Sequence, residues 1–333
     1  MNTSAGLTKA QLKDKVRAIV LLQGNDFIKE LLRQHSIKIG VSKKDFAENI
    51  AEAIDSETLT QAMIDNWLYE IEGWGNQHVY LFKAPAIQTD GVSALLAAGG
   101  YARLVGAAQT YDFPDALELS NILHDAQGLS LVWHLGKEGW DRAKFKDFQQ
   151  SEGLELYRFE AYRRRRDRSV VRFDWRFADP HCAILVHRNK EIDHTEALNV
   201  VWDVLKTLAI IGAPCGRFLL TEAVKSASKA KGTKSTRLET DGGFVDLVST
   251  MEGGGIDQVE AVRHARHAMN DEEFARAQGI FSLGEAENLA QPMSVQVYGS
   301  EGRIRLWAQC KRDDVHAVIA YLMKHNSKAD ANA

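Results

Sequence analysis

The run Arg163-Arg164-Arg165-Arg166-Asp167-Arg168 places five guanidinium groups within six residues. Arginine presents a planar fork of donors that matches a phosphate or a carboxylate in bidentate fashion. The alternation that follows puts Arg168, Arg172 and Arg176 on one side, with Val171, Phe173, Trp175 and Phe177 on the other. On the preceding segment Arg158, Tyr162 and Arg164 project to the polar side. The expectation is a two-stranded ribbon with the arginine run at its tip, laying guanidinium groups along a phosphate backbone. The competing expectation is a solvated tip whose arginines pair with acids elsewhere in the chain.

A second basic element is formed by Lys225, Lys229, Lys231, Lys234 and Arg237, with no acid between Glu222 and Glu239. Its Ser, Gly and Thr content predicts a mobile loop over Ser226–Thr236. Gly232-Thr233-Lys234-Ser235-Thr236 is no nucleotide-phosphate cradle, because the upstream glycine and the Gly-Lys order are missing.

A third set lies near the C-terminus. Alternation over Arg303–Cys310 leaves Arg303, Arg305, Trp307 and Gln309 outside, with Ser294, Gln296 and Tyr298 outside on the partner strand. Tyr298, Arg305 and Trp307 are candidates for stacking on a base or anchoring a partner. Burial of Trp307 under a covered sheet face is the preferred reading, since Trp is usually largely buried.

Glu260, His264, His267 and Asp271 share one arc of a helix. His264 and His267 are weak metal candidates, and a solvated polar face accounts for them better. No metal or cofactor is expected. No serine nucleophile elbow and no H-E-x-x-H, kinase or dinucleotide signature is present, which favours a non-enzymatic protein.

The charge pattern agrees with a local basic surface. The chain of 333 residues has a formal charge of −4. That total resolves into −4 for residues 1–150, +6 for residues 151–237 and −6 for residues 238–333. A uniformly basic, histone-like protein is excluded. The three cysteines, Cys182, Cys215 and Cys310, are scattered and form no C-x-x-C pair, so neither a disulfide framework nor a thiolate zinc site is expected. No stretch reaches the ~18 apolar residues of a membrane span. A cytoplasmic protein with no membrane association is the expectation.

The elements that must position these residues follow from periodicity. Residues 8–75 carry apolar stripes of helical period, with Ser42 and Asp45 spaced as an N-cap and its reciprocal acid. His78–Lys83 and Leu129–His134 read as strands. From Leu154 the period becomes two, predicting three antiparallel strands to His187 and a helix over Asp193–Ile210. Phe218–Lys229 reads as a helix and Phe244–Thr250 as a strand. A hairpin turns at Gly299–Gly302, and Val315, Val318, Ile319 and Leu322 mark a last helix. The expected architecture is α+β. A small helical bundle (residues 1–85) and a connector of uncertain structure (86–150) precede an antiparallel-sheet domain with covering helices and two hairpins (151–333).

The leading functional expectation is a non-enzymatic nucleic-acid-associated binding protein. Its phosphate contacts are the arginine hairpin and the lysine loop, and its bundle contacts other protein subunits. One alternative is an adaptor subunit of a multi-protein assembly whose arginine tip docks an acidic protein surface. The other is a metal-dependent hydrolase or nuclease built on His264 and His267.

Overall fold

The computed structural model describes residues 6–106, 113–188, 192–228, 232–240, 242–249, 256–268 and 276–330. The fold is α+β. The first elements are helices α1 (Lys9–Ala18), α2 (Asn25–Gln34), α3 (Lys43–Asp55) and α4 (Gln61–Ile71), strand β1 (Gln77–Lys83) and helix α5 (Val92–Ala98). Strands β2 (Glu118–His124), β3 (Gly128–Arg142), β4 (Phe148–Glu152), β5 (Glu155–Phe159), β6 (Tyr162–Arg176) and β7 (His181–His187) follow. Then come α6 (His194–Thr207), α7 (Thr221–Ala227), β8 (Thr233–Thr240), β9 (Gly243–Val248), α8 (Glu260–Ala268), β10 (Arg276–Leu283), β11 (Met293–Tyr298), β12 (Arg303–Leu306) and α9 (Arg312–Asp330).

Contacts divide the chain into two compact units. One comprises Met1–Gln61, Gln109–Ser120 and Trp133–Val170; the other comprises Ala62–Ala108, Asn121–Val132 and Val171–Ala333. Neither is a continuous stretch, because β2, β3 and β6 each contribute residues to both.

In the first unit, helices start where side chains satisfy the free backbone donors. Thr8 and Gln11 form a capping box at α1, and Ser42 and Asp45 form another at α3, as their spacing predicts. Leu12, Val16, Ile28, Leu31, Phe46 and Ile50 are buried, which is the apolar stripe of each helix turned inward. Strands β4 and β5 form a separate two-stranded sheet here.

A ten-stranded sheet runs in the order β2-β3-β6-β7-β1-β12-β11-β10-β8-β9, of which the second unit holds β7, β1, β12, β11, β10, β8 and β9 whole. Alternate residues of its central strands, including Val79, Leu81, Val295, Val297, Ile304 and Leu306, pack with Ala223 and Val224 of α7 and with Leu220 just before it. Val315, Val318, Ile319 and Leu322 of α9 complete this core. The turn from β11 to β12 ends at Gly302, whose φ is +56°. A Cβ there would stand 2.3 Å from the Phe218 carbonyl oxygen, so only glycine closes this turn.

Three expectations are corrected. The arginine run is not at a hairpin tip: it lies inside the long strand β6, and β5 pairs with β4 across a turn at Gly153. Residues 86–150 are not merely a connector, since they supply β2, β3 and β4. The expected loop over Ser226–Thr236 gives way, from Thr233 onward, to strand β8, which pairs with both β9 and β10. Its polar face conceals the inward set Thr233, Thr236 and Leu238, all buried.

Candidate nucleic-acid interface

The arginine strand is largely occupied by its own neighbours. Arg163 faces Asp141 at 3.5 Å, Arg164 pairs with Glu138, and Arg166 reaches Glu138 at 3.0 Å and Asp14 at 3.2 Å. Arg158 lies 3.6 Å from Glu160 and 4.0 Å from Asp147. Arg176 pairs with Asp179 at 2.7 Å. The side chain of Arg165 lies outside the described residues.

Arg168 and Arg172 are buried, which corrects their expected role as phosphate contacts. Arg168 donates to Nε2 of the buried His134 at 2.8 Å, and the other nitrogen of that ring is 2.6 Å from Ser120 Oγ. Arg172 is fully buried. It donates to Ser130 Oγ at 3.2 Å and to the Glu72 carbonyl at 3.0 Å, with the Trp74 ring 4.3 Å from its guanidinium carbon. Alternation identified two faces of β6 correctly but not that both are covered over residues 169–173.

The lysine element is dispersed. Lys225 pairs with Glu222 at 3.1 Å, and Lys234 donates to Ser294 Oγ at 2.8 Å. Arg237 makes a two-pronged contact with Asp246, 2.6 Å for each bond. Lys229 and Lys231 lie outside the described residues. His264 is exposed beside Glu260 at 3.7 Å. The side chain of His267, and all of Asp271, lie outside the described residues. Among the described residues no three His, Cys, Asp or Glu side chains cluster as metal ligands.

A different surface assembles on the sheet face opposite the α7–α9 core. Strand registers align two rows across six strands. One runs His78, Arg305, Gln296, Ile280, Ser235 and Val248. The next runs Tyr80, Arg303, Tyr298, Gln278, Arg237 and Asp246. The intervening residues, such as Val79, Ile304 and Val297, enter the core. A side-chain period of two turns every member of both rows to the same side.

This face is rich in guanidinium–aromatic contacts. Arg303 lies 3.7 Å over the Tyr298 ring, donates to His78 Nδ1 at 3.1 Å and binds Glu301 at 2.7 Å. Arg305 lies 5.4 Å from the Trp307 ring. Arg217 covers Phe82 and Tyr80 at 4.4 and 4.8 Å. Its own segment is held to β1 by Lys83 N–H donating to the Gly216 carbonyl at 2.8 Å and Phe218 N–H to the Leu81 carbonyl at 3.0 Å. Among the described residues, neither Arg217 nor Arg305 has a carboxylate within 4 Å, and the same holds for Arg188.

Burial and the neighbouring cations together set the electrostatics of this face. Burial, then His194 and Arg303, push the His78 imidazole down to about 3. Burial and Arg303 lower His194 as well. Both rings are therefore neutral at neutral pH, with centroids 4.8 Å apart. Tyr298 and Trp307 are half-buried and Arg217 is exposed. Farther along the face, Ser235, Arg237, Gln278 and Gln296 line a shallow cavity of about 280 Å³.

The structure thus gathers Tyr298, Arg305 and Trp307 with His78, Tyr80, His194, Arg217 and Arg303. Sequence alternation found the first three and marked Arg303 as outward. It missed His78 and Tyr80 because β1 is aromatic on one side and aliphatic on the other, the pattern of a strand covered twice. Among the described residues no helix is long and apolar enough to cross a membrane. In comparisons with known proteins, no family model and no curated protein sequence matches this chain.

Proposed function

We propose that this protein binds single-stranded nucleic acid, without catalysis, on the sheet face formed by β1, β12, β11, β10 and β8. The observation that carries this reading is the pair of in-register rows through His78–Arg305–Gln296 and Tyr80–Arg303–Tyr298. They set the half-buried Tyr298 ring beside the guanidinium groups of Arg303 and Arg305 on one polar face, with Tyr80 buried at its margin. Bases stack on tyrosine, tryptophan and arginine planes, and arginines without acidic partners neutralise phosphates. A broad sheet face suits an unpaired strand better than a duplex groove, because splayed bases can lie flat upon it.

The arginines of β6 are secondary in this reading. Carboxylates that already bind them must be displaced before phosphate is engaged. The same competition weakens the idea that they dock an acidic protein surface.

The test is fluorescence anisotropy of a labelled oligonucleotide across a salt series. For Arg217→Ala/Arg305→Ala, affinity falls and the log–log salt slope decreases by about 1.4, at about 0.7 per phosphate contact on a single strand. Arg163→Ala/Arg164→Ala retains most of the affinity. Unchanged binding in the first variant, with the fold intact, sinks the reading. Loss confined to the second variant returns the site to β6.

A further inference from the structure

The β4–β5 hairpin has no counterpart in that reading. Every residue of both strands is exposed. Large apolar side chains crowd it and its approaches: Trp140 (68% exposed), Phe145, Phe148, Leu154, Leu156, Tyr157, Phe159 and Tyr162. Phe148 and Phe159 stack with centroids 4.6 Å apart, and neither covers the other from solvent. Monomers rarely leave so many apolar side chains exposed together without a use for them.

Two further features say what pairs with this hairpin. The sheet has only two strands, so among the described residues both of its edges carry unpaired backbone groups. An isolated hairpin is marginally stable, and a free edge is a template for another strand. The charges are also divided along its length. At the tip Glu152 stands directly opposite Glu155 in the register. Glu155 accepts from the Tyr157 hydroxyl at 2.6 Å, but among the described residues neither carboxylate has a basic partner within 4 Å. At the base Lys144 and Lys146 likewise lack an acidic partner among the described residues, and the Lys146 ammonium lies 5.9 Å from the Phe145 ring. Like charges facing each other across a hairpin destabilise it. A partner that brings cations to the tip removes the repulsion.

We propose that this hairpin is a self-association surface and that its occupant is the same hairpin of a second copy of this chain. Strand β4 pairs antiparallel with β4 of the second copy about a two-fold axis at Gln150, giving a four-stranded sheet. The two-fold places the acidic tip of each hairpin beside the lysine-bearing base of the other. It sets the exposed apolar rows of the two hairpins side by side on one face of the joined sheet, related by the two-fold of an isologous interface. The acidic tip argues against an anionic membrane as the occupant.

Sedimentation velocity on the full chain over a dilution series tests this. The expected result is a species of twice the monomer mass that dissociates on dilution. Lys144→Glu/Lys146→Glu and Glu152→Lys/Glu155→Lys each weaken the dimer at least tenfold. Combining all four substitutions restores it, which a merely misfolded hairpin does not do. Phe148→Ser weakens it without changing the circular dichroism. A monomer at every concentration overturns the proposal and leaves the hairpin to a different protein. A dimer indifferent to both charge reversals also overturns it.

Discussion

The phenolic oxygen of Tyr80 lies 2.6 Å from Nδ1 of His194, joining strand β1 to the first turn of helix α6. Burial raises the Tyr80 phenol and lowers the His194 imidazole, so the hydroxyl donates and the neutral ring accepts. The position of His194 at a helix N-terminus acts in the same direction, since the helix dipole disfavours a cation there. The contact fixes one end of the sheet face on which Arg303, Arg217 and His78 meet.

That arrangement predicts acid sensitivity. His78 titrates at about 3 in the folded protein, against an ordinary value of 6.5. Between those values the unfolded chain binds the extra proton, so stability falls as pH drops below about 6.5 and the loss is complete near the folded pKa. His194 and His187 are lowered by burial too and add to the slope. Thermal melts across this window should show the midpoint falling with pH, and His78→Gln should flatten the dependence. An identical slope in the variant contradicts the assignment.

Arg172 should be costly to remove. It is fully buried and held by Ser130, the Glu72 carbonyl and the Trp74 ring. Arg172→Ala leaves a cavity and two buried acceptors without their donor. A loss of about 3–5 kcal/mol in urea unfolding is expected. Arg163→Ala, at a largely exposed side chain, should cost less than about 1 kcal/mol.

Base stacking provides a separate check on the proposed face. Tyr298 is half-buried beneath Arg303. Tyr298→Ala should weaken oligonucleotide binding by about 1–3 kcal/mol, whereas Tyr298→Phe should retain most of the affinity. Unlike the arginine variants, Tyr298→Ala should leave the salt slope unchanged.

The three thiols should differ in reactivity. Cys215 is partly exposed and its thiol is lowered by the neighbouring Cys182. Cys182 is buried and is raised by its neighbour Cys215 and by burial, and burial pushes Cys310 up to about 12. Thiolate is the nucleophile, so limited alkylation of the native protein should label Cys215 first. Mass mapping that finds Cys310 labelled before Cys215 contradicts this order.

Several elements were legible along the chain because their causes are local. Ser42 and Asp45 cap α3 as their spacing implies, since a capping box needs only four consecutive residues. The stripe of Val315, Val318, Ile319 and Leu322 specifies the buried side of α9, and β11 and β12 turn at Gly302 because αL backbone favours glycine. The outward placement of Tyr298 and Arg305 also followed from a period of two, whereas Trp307, expected in the core, is half-buried.

What covers each face was decided by the tertiary structure. The alternation of Arg168, Arg172 and Arg176 with Val171, Phe173 and Trp175 describes a strand with one polar side in any setting. Here β6 lies between β3 and β7, and residues distant in sequence, Glu72, Ser130 and Trp74, enclose the guanidinium of Arg172. The polar sheet face likewise exists only when His78 and Tyr80 come beside Arg305 and Arg303, which are more than two hundred residues away. Local spacing determines which side chains share a face. Long-range strand order determines whether that face meets water, a carboxylate or the core, because burial and charge depend on neighbours that the local sequence does not contain.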